Sequence, residues 1–283
     1  MNNILLKRYT TFKIGGPAKY FFKVRTRKGL IKKIQMAKEL NLPFFILGGG
    51  SNLLVSDKGY KGVVIKIENP YINLQKNKIT VGVGTKLGDV VKYCTNKELT
   101  GLEWAVGIPG TIGGAVRGSI KAFGESISDN IESVQALKVP ELEIKNYKAN
   151  DCKFDYKESI FKEDKNLIIL SCVLKLKKGD KKQIKNKIKY FLDYRKKNHP
   201  LNFPSAGSIF KNPKNKNAWE LVKKCGLDGK RIGNAQISEK HSNFIINLGN
   251  ASSKDVLGLI NLVKKEVKKK FGIKIEAEIF YLE

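Results

Sequence analysis

The stretch FFILGGGSNLLV, residues 44–55, decides the fold, because it joins a short apolar strand to three glycines. The run Phe44–Leu47 predicts a buried strand that leads directly into the glycines. Glycines at this point let the backbone turn tightly and let a ligand's phosphates approach backbone N–H groups. The run matches neither the GxGxxG dinucleotide pattern nor a P-loop. A tight exit from the strand explains it as well as a phosphate site does, and such a site would comprise Gly48, Gly49, Gly50, Ser51 and Asn52.

A second glycine-rich stretch, GIPGTIGGAVRG at residues 107–118, has five glycines and no acidic residue. Its apolar side chains disfavour free exposure, so we interpret it as a buried loop laid along a pyrophosphate, in preference to a flexible surface loop. The Thr111 hydroxyl and backbone N–H groups would be its donors. The candidate cofactor-binding residues here are Pro109, Gly110, Thr111, Gly113 and Gly114.

Composition sets broad limits on the function. With 283 residues, 41% of them apolar, the chain is long enough for one large or two medium globular domains. The net charge of +28 suggests nucleic-acid binding, but the lysines fill the polar faces of predicted helices, which favours solvated surfaces. The four cysteines are far apart and form no CxxC pair, so we expect free thiols and no metal site. Without a signal or membrane-spanning pattern, we expect a cytoplasmic protein.

The pattern of apolar residues predicts a mixed sequence of helices and strands. Ser252 and Asp255 form a start signal for the last helix, and a domain boundary is expected near residues 180–200. Trp104 and Trp219 are predicted to be core aromatics. The predicted helices are Gly29–Leu40, Leu87–Leu99, Lys181–Lys197, Ala218–Cys225 and Lys254–Phe271, and the further strands are Gly62–Ile67, Lys78–Val83, Ile131–Val139, Leu167–Leu176, Asn243–Asn247 and Ile275–Tyr281.

The segment PSAGSIFKNP, residues 204–213, predicts a binding loop. Its prolines and its glycine break regular structure around a hydroxyl (Ser208), a cation (Lys211) and an amide (Asn212). Ile209 and Phe210 could anchor the loop in apolar packing. An ordinary turn with solvated polar residues is the alternative for this segment taken alone.

Together these segments resemble the bacterial UDP-N-acetylenolpyruvoylglucosamine reductase family, also called UDP-N-acetylmuramate dehydrogenase, in its shorter subtype. The resemblance covers nearly the whole chain, and its motifs occur in the family's order. They are TTFKIGGPA (10–18), LGGGSNLLV (47–55), GIPGTIGGA (107–115), FDYKESIFK (154–162), PSAGSIFKNP (204–213), AQIS with KHSNFIIN (235–247) and GIKIEAEI (272–279).

The resemblance implies an α+β fold. An FAD-binding domain of the vanillyl-alcohol-oxidase (PCMH) type, built from two subdomains, would precede a smaller α+β substrate-binding domain. The implied bounds are 1–66 and 67–180 for the subdomains, 181–199 for a connecting helix and 200–283 for the C-terminal domain. The implied reaction uses NADPH and FAD to reduce the enolpyruvyl ether of UDP-N-acetylglucosamine-enolpyruvate to UDP-N-acetylmuramate, in peptidoglycan precursor synthesis.

The resemblance also implies roles for individual residues. Ser208 would protonate the substrate carbon, and Glu278 would help to stabilise an enolate-like intermediate. Reduction builds negative charge beside the substrate carboxylate, so positioned cations lower the barrier. Glu276 lies on the same predicted strand face as Glu278, and physical reasoning alone leaves the choice between them open. The expected substrate contacts are Tyr156, Lys211 and Asn212.

Two positions depart from the family's pattern. Lys157 stands where the family usually has an arginine, which keeps the charge and loses the two-pronged grip on a carboxylate. Small residues usually follow the second glycine-rich stretch, whereas this chain has Ser119-Ile120-Lys121-Ala122. A same-fold FAD oxidoreductase acting on another substrate, or a basic binding protein with a decayed flavin site, are therefore the alternatives. Beyond the UDP-sugar we expect no nucleic-acid or membrane partner, and a monomer.

Overall fold

A computed structural model describes residues 2–139 and 141–283, which divide into two compact units. The first unit contains the N-terminal residues up to Phe21 together with Gly50–Val63 and Arg195–Glu283. The second contains Phe22–Gly49 and Val64–Tyr194.

In the described residues the strands, in chain order, are β1 (Asn2–Leu5), β2 (Pro17–Val24), β3 (Phe44–Leu47), β4 (Leu53–Val55), β5 (Tyr60–Ile67), β6 (Ile72–Gln75), β7 (Lys78–Gly82), β8 (Leu99–Thr100), β9 (Lys121–Ala122), β10 (Glu125–Ser126), β11 (Ile131–Lys138), β12 (Glu143–Lys148), β13 (Leu167–Lys175), β14 (Lys177–Lys178), β15 (Ser205–Ser208), β16 (Arg231–Ile232), β17 (Ala235–Ile237), β18 (Phe244–Asn247) and β19 (Phe280–Leu282). The α-helices are α1 (Arg27–Glu39), α2 (Leu87–Asn96), α3 (Ile112–Arg117), α4 (Ile160–Glu163), α5 (Lys181–Asn198), α6 (Ala218–Lys224) and α7 (Ser253–Phe271).

A five-stranded sheet in the order β12-β11-β13-β7-β6 forms the centre of the second unit, and its neighbouring strands are antiparallel. Val134 pairs with Cys172, which in turn pairs with Val81, and all three side chains are buried. Such buried cross-strand neighbours fix the register of a sheet, because a slip of one residue would turn them out of the core. Another sheet has the order β1-β2-β5-β3.

The first unit is built around the antiparallel sheet β15-β18-β17-β16 and the helices α6 and α7. Its apolar core includes Val256, Leu259, Val263 and Val267, which follow the helical spacing of α7. The Ser252 side chain accepts a hydrogen bond from Asp255 N–H, and the Asp255 side chain accepts one from Ser252 N–H. This capping box confirms the predicted helix start.

Most predicted elements occur with bounds shifted by one to three residues. The final strand is the main exception, because Ile275–Tyr281 is not one strand: β19 begins only at Phe280, and Ala277 makes an isolated bridge to Phe210. The strand Phe44–Leu47 has the predicted bounds, but only Leu47 in it is fully buried.

The two tryptophans differ in burial. Trp104 is fully buried, as predicted, whereas Trp219 is 39% exposed, so the prediction that it belongs to the core was wrong. No helix in residues 2–139 and 141–283 combines the length and the apolar character that crossing a membrane requires.

Candidate active site

In the second unit the two glycine-rich stretches lie against each other. A Cβ atom added to Gly49 would lie 2.5 Å from Gly110 Cα, and one added to Gly48 would lie 2.8 Å from Thr111 Oγ1. Backbone hydrogen bonds hold this arrangement: Leu87 N–H donates to Gly110 C=O at 3.0 Å, and Lys86 forms a bridge with Thr111. The sequence predicted either the close approach of a ligand's phosphates or a tight exit from the strand at these glycines, whereas the approach seen here is made by another stretch of the same protein.

The second stretch is only partly a loop. Residues Ile112–Arg117 form the short helix α3, so the interpretation of the whole segment as a loop was wrong for its second half. Ile112, Ala115 and Val116 are buried, which explains the helix, since the apolar side chains at these spacings share one face. Pro109 is exposed, and Gly113 and Gly114 lie within α3.

Thr111, immediately before α3, has a buried side-chain oxygen with an unmet hydrogen bond. Among the residues that the structure describes, Oγ1 of Thr111 has no hydrogen-bond partner. Burying a hydroxyl without a partner costs free energy, so a ligand oxygen at this position would stabilise the site. The unpaired Thr111 hydroxyl, which lies beside Gly48, is suited to an oxygen of a ligand such as the diphosphate of FAD.

Lys66 lies beside these glycines and was not identified from the sequence. Its Nζ donates to Gly48 C=O at 3.0 Å. Burial lowers the pKa of Lys66, Glu68 raises it, and Lys23 and Lys86 lower it further. A lysine in the otherwise apolar run GVVIKI was the available signal, because a half-buried cation in a strand needs a partner.

The remaining residues of the first stretch belong to the first unit. Gly50 has a φ of 63°, and a Cβ atom there would collide with Tyr9 C=O, so only glycine fits. Thr11 N–H donates to Gly50 C=O at 3.1 Å, while Thr11 Oγ1 is buried and has no hydrogen-bond partner in the described part of the chain. A ligand oxygen would satisfy this hydroxyl as well.

Ser51 is half-buried and Asn52 is exposed. The Asn52 side chain donates to Glu278 C=O at 3.2 Å, and Phe280 N–H donates to Asn52 C=O at 3.2 Å. The structure therefore gives Asn52 a role that the sequence did not indicate, namely holding the segment that carries Glu278.

Ser208 is the last residue of β15, where it pairs with Phe244 of β18. The preceding Gly207 has a φ of 74°, a conformation that favours glycine, and the following Ile209 and Phe210 are buried. This confirms the predicted apolar anchors. Ser208 itself is half-buried.

The segment of Ser208 and that of Glu278 are joined through their backbones. Glu278 N–H donates to Ile209 C=O at 2.7 Å, and Lys211 N–H donates to Glu276 C=O at 2.9 Å. The Lys211 ammonium lies 3.5 Å from a carboxylate oxygen of Glu276, whose side chain is 70% exposed. The two glutamates also differ in burial, since Glu276 is exposed and Glu278 is half-buried.

Asn212 is exposed, and its Oδ1 accepts a hydrogen bond from Ala218 N–H at 2.9 Å. This bond satisfies one of the free N–H groups at the start of α6. The amide that was predicted to contact substrate thus also helps to begin a helix.

Tyr156 and Lys157 lie in the second unit, in a tight turn closed by a bridge between Asp155 and Glu158. Tyr156 is 40% exposed, and Lys157 is half-buried with a φ of 62°. The Ser159 hydroxyl donates to Arg117 C=O at 2.7 Å, which links this turn to the end of α3.

The residues that depart from the family's usual pattern directly follow α3. Ser119 is buried with a φ of 41°, Ile120 is half-buried, and Lys121 is exposed. Ile120 N–H donates to Ala115 C=O at 3.1 Å, so this segment packs back on α3.

Comparisons with known proteins agree with this organisation. Residues 18–143 match the family described as FAD binding domain, and residues 199–282 match UDP-N-acetylenolpyruvoylglucosamine reductase, C-terminal domain. The two matches and the mixed helix and strand content confirm the predicted α+β fold, with an FAD-binding domain before the C-terminal domain.

Full-length relatives share this organisation. The chain is 42% identical to the UDP-N-acetylenolpyruvoylglucosamine reductase of Caldanaerobacter subterraneus subsp. tengcongensis, over 97% of this chain and 90% of that protein. It is 41% identical to the enzyme of Clostridium novyi, over 98% of this chain and 90% of that protein. The crystal structure of UDP-N-acetylenolpyruvylglucosamine reductase (MurB) from Thermus caldophilus matches with a TM-score of 0.86 at 34% identity, covering 100% of this chain and 98% of that one. By sequence and by fold, the chain belongs to the UDP-N-acetylenolpyruvoylglucosamine reductase family.

Proposed function

We propose that this protein reduces the enolpyruvyl ether of UDP-N-acetylglucosamine-enolpyruvate to UDP-N-acetylmuramate, in peptidoglycan precursor synthesis. It is an FAD-dependent oxidoreductase, and NADPH is its hydride donor. The observation that carries the proposal is the direct hydrogen bond between the Ser208 and Glu278 segments, Glu278 N–H to Ile209 C=O at 2.7 Å. It brings a hydroxyl and a carboxyl, the two groups that the reaction requires beyond the cofactor, into one small region.

When bound, FAD would supply the enolpyruvyl double bond with a hydride that originates from NADPH. Ser208 then donates its hydroxyl proton to the neighbouring carbon, which completes the reduction. A serine is a weak acid in water, so this step requires that the hydroxyl be held in place against a strongly basic carbon. The buried anchors Ile209 and Phe210 provide this restraint.

Charge that develops on the substrate carboxylate is stabilised by the surrounding side chains. The Glu278 carboxyl helps to stabilise the enolate-like intermediate. Lys157 contributes a positive charge. Tyr156, Lys211 and Asn212 contact the UDP-sugar, and the exposure of Tyr156 and Asn212 agrees with this role.

The diphosphate of FAD is held by both glycine-rich stretches. Support for this assignment comes from the buried Thr111 hydroxyl, which lies beside Gly48 and whose hydrogen bond is unmet in the described structure. The FAD-binding residues are Gly48, Gly49, Gly50, Ser51, Asn52, Pro109, Gly110, Thr111, Gly113 and Gly114.

Replacement of Ser208 tests the proposal. In Ser208→Ala, reduction of bound FAD by NADPH should keep its rate, while reoxidation by the enolpyruvyl substrate should slow by about a hundredfold or more. Stopped-flow absorbance of the flavin measures both steps. Ser205→Ala, in the same strand β15, is the matched control and should reoxidise normally. Normal reoxidation in Ser208→Ala would remove Ser208 from the mechanism.

We further infer a cytoplasmic enzyme that acts as a monomer, without a nucleic-acid or membrane partner. The positive charge of α5 and α7 lies on solvated faces, because their lysines are exposed while Ile184, Phe191 and Val263 are buried. Sedimentation at micromolar concentration, with and without RNA, tests it. The domain bounds 1–66, 67–180, 181–199 and 200–283 also stay predictions.

A further inference from the structure

Asn243 is a buried amide in an apolar part of the first unit. It immediately precedes β18, and only 4% of its surface is exposed. Its neighbours Phe244, Ile245 and Ile246 are buried as well. A polar side chain in such a position requires hydrogen-bond partners, because leaving its groups unpaired costs free energy.

Its partners are the two residues that follow Ser208. Asn243 Oδ1 accepts a hydrogen bond from Phe210 N–H at 2.9 Å, and Nδ2 donates to Phe210 C=O at 2.9 Å. The backbone carbonyl oxygen of Asn243 accepts a bond from Ile209 N–H at 2.8 Å. The side-chain amide thus bonds both the N–H and the C=O group of Phe210, as the backbone of a neighbouring strand would.

These bonds lie where the regular pairing of β15 and β18 ends. Ser208 and Phe244 form the last pair of the ladder, and the register is irregular between Ser205 and Ser208. Gly207, just before Ser208, has a φ of 74° and lacks a side chain that would restrain it. Beyond Ser208, the regular pairing with β18 gives way to the bonds from Asn243, and residues 276–278 bond the other edge of the same backbone.

The same two residues also connect to the Glu278 segment. Ile209 C=O accepts the hydrogen bond from Glu278 N–H, and Phe210 forms the bridge with Ala277. A displacement of Ile209 and Phe210 would therefore move the Ser208 hydroxyl and the Glu278 carboxyl together. A shift of about 1 Å in a catalytic group can cost about a hundredfold in rate.

We propose that Asn243 is a positioning residue that fixes Ser208, and Glu278 with it, for proton donation to the substrate. The inference rests on the role of Ser208 under the proposed function. Asn243 acts through the backbone of Ile209 and Phe210, without contact to the reacting atoms.

Two variants of the holoenzyme remove the amide's bonds to different extents. Asn243→Leu removes both side-chain bonds, and Asn243→Asp keeps the acceptor for Phe210 N–H but loses the donor to Phe210 C=O. The matched control is Asn247→Leu at the end of β18. That asparagine is also buried, at 3% exposure, and bonds to Phe12, Gly249 and Ala251 instead.

Both Asn243 variants should keep stoichiometric FAD and reduce it with NADPH at the parent rate. Reoxidation by the enolpyruvyl substrate should slow by about 10- to 100-fold. Adding Ser208→Ala to Asn243→Leu should then cost only about threefold more, because the hydroxyl is already misplaced. Adding it to Asn247→Leu should cost the full factor measured for Ser208→Ala alone.

Three outcomes overturn the inference. One is normal reoxidation in both Asn243 variants, and another is full multiplication of the two effects in the double variant. The third is loss of FAD or of the folded state in both Asn243 variants while Asn247→Leu keeps them, which would make Asn243 a structural residue only. Normal reoxidation in Ser208→Ala alone is a separate result, which contradicts the proposed role of Ser208 itself.

Discussion

Lys157 shows how one residue combines a strained backbone with a charge. Its φ of 62° lies in the left-handed region, and its carbonyl accepts a hydrogen bond from the Lys162 ammonium at 2.6 Å. The turn is further held by an ion pair of 3.0 Å between Lys162 and Glu158. The backbone at this position is therefore set by neighbouring residues of the same turn, and the side chain adds a positive charge there.

Two substitutions of Lys157 distinguish the effect of its positive charge from the effect of its hydrogen-bond geometry. Lys157→Arg should speed reoxidation of the flavin by substrate, up to roughly tenfold, because a guanidinium offers a carboxylate two parallel hydrogen bonds. Lys157→Met should nearly abolish reoxidation, since no charge remains. Stopped-flow measurement should show flavin reduction by NADPH unchanged in both. A Lys157→Met variant that reoxidises like the parent would show that another cation, with Lys121 the first to test, has this role.

His199 should make the free energy of unfolding depend on pH. Burial, together with the nearby His241, Arg195 and Lys240, lowers the pKa of His199 to about 4. The unfolded chain, with an ordinary histidine pKa near 6.5, takes up a proton as the pH falls below that value, while the folded chain stays neutral. The His199 contribution is therefore complete above pH 6.5 and is lost as the pH falls towards 4.

Urea unfolding at pH 7.5 and pH 4.5 checks this sign. The free energy of unfolding of the parent should fall more than that of His199→Gln over this interval, by on the order of 1 kcal/mol after the screening of this half-buried ring by solvent. Equal losses in the two proteins would mean that His199 is protonated in the folded state, against the effect of burial.

At the scale of elements, the meeting of the two glycine-rich stretches depends on missing side chains. Gly49 has an ordinary backbone conformation but lies against the backbone of Gly110, which cannot move aside as the end of a flexible side chain would. Gly88, in the first turn of α2, has no neighbouring atom within 4 Å of an added Cβ. Replacement of each glycine by alanine therefore gives a test variant at Gly49 and a matched control at Gly88.

Gly49→Ala should lose bound FAD, because an added methyl group pushes the second stretch away from the first. Gly88→Ala should retain FAD and should be slightly more stable, by up to about 1 kcal/mol, since alanine favours a helix over glycine. The flavin absorbance of the purified protein and a thermal melt measure both effects. Stoichiometric FAD in Gly49→Ala would contradict the assignment of the cofactor to these glycines.

At the scale of the whole molecule, burial determines which thiols react. Burial raises the pKa values of Cys94, Cys152 and Cys172 to about 12, and all three side chains are buried. Cys225 is half-buried, and burial raises its pKa as well. Since the thiolate is the reactive form, two factors slow the reaction of the buried cysteines with a thiol reagent: the reagent cannot reach them, and they stay protonated.

We therefore expect one thiol of the native protein to react readily with a disulfide reagent at pH 8, and four after unfolding in guanidinium. Cys225→Ser should abolish the fast reaction and leave the number after unfolding at three. Two or more fast thiols in the native protein would show that the second unit opens on the timescale of the labelling.

Much of the secondary structure, and the family, could be predicted from local patterns in the sequence. Helical spacing and a start signal were sufficient for α7, because the apolar face and the capping box are both made by residues close in sequence. The family could also be identified, since its motifs occur in order along the sequence. The pairing of the short strands β4 and β19 could not be predicted, because it joins Leu53 to Phe280 and no local signal marks such a distant contact.

The tertiary structure alone decided how the candidate site is held together. Sequence predicted Ser208 and Glu278 by resemblance, but only the fold shows that Ile209 bonds to Glu278 and that Asn243 holds Phe210. Likewise, the glycines at 48 and 49 were assigned to a ligand's approach, and the fold shows that Gly110 and Thr111 approach them too. The physical reason is that propensity and periodicity act over a few neighbouring residues, whereas these contacts join residues tens of positions apart, and their geometry exists only once the protein has packed.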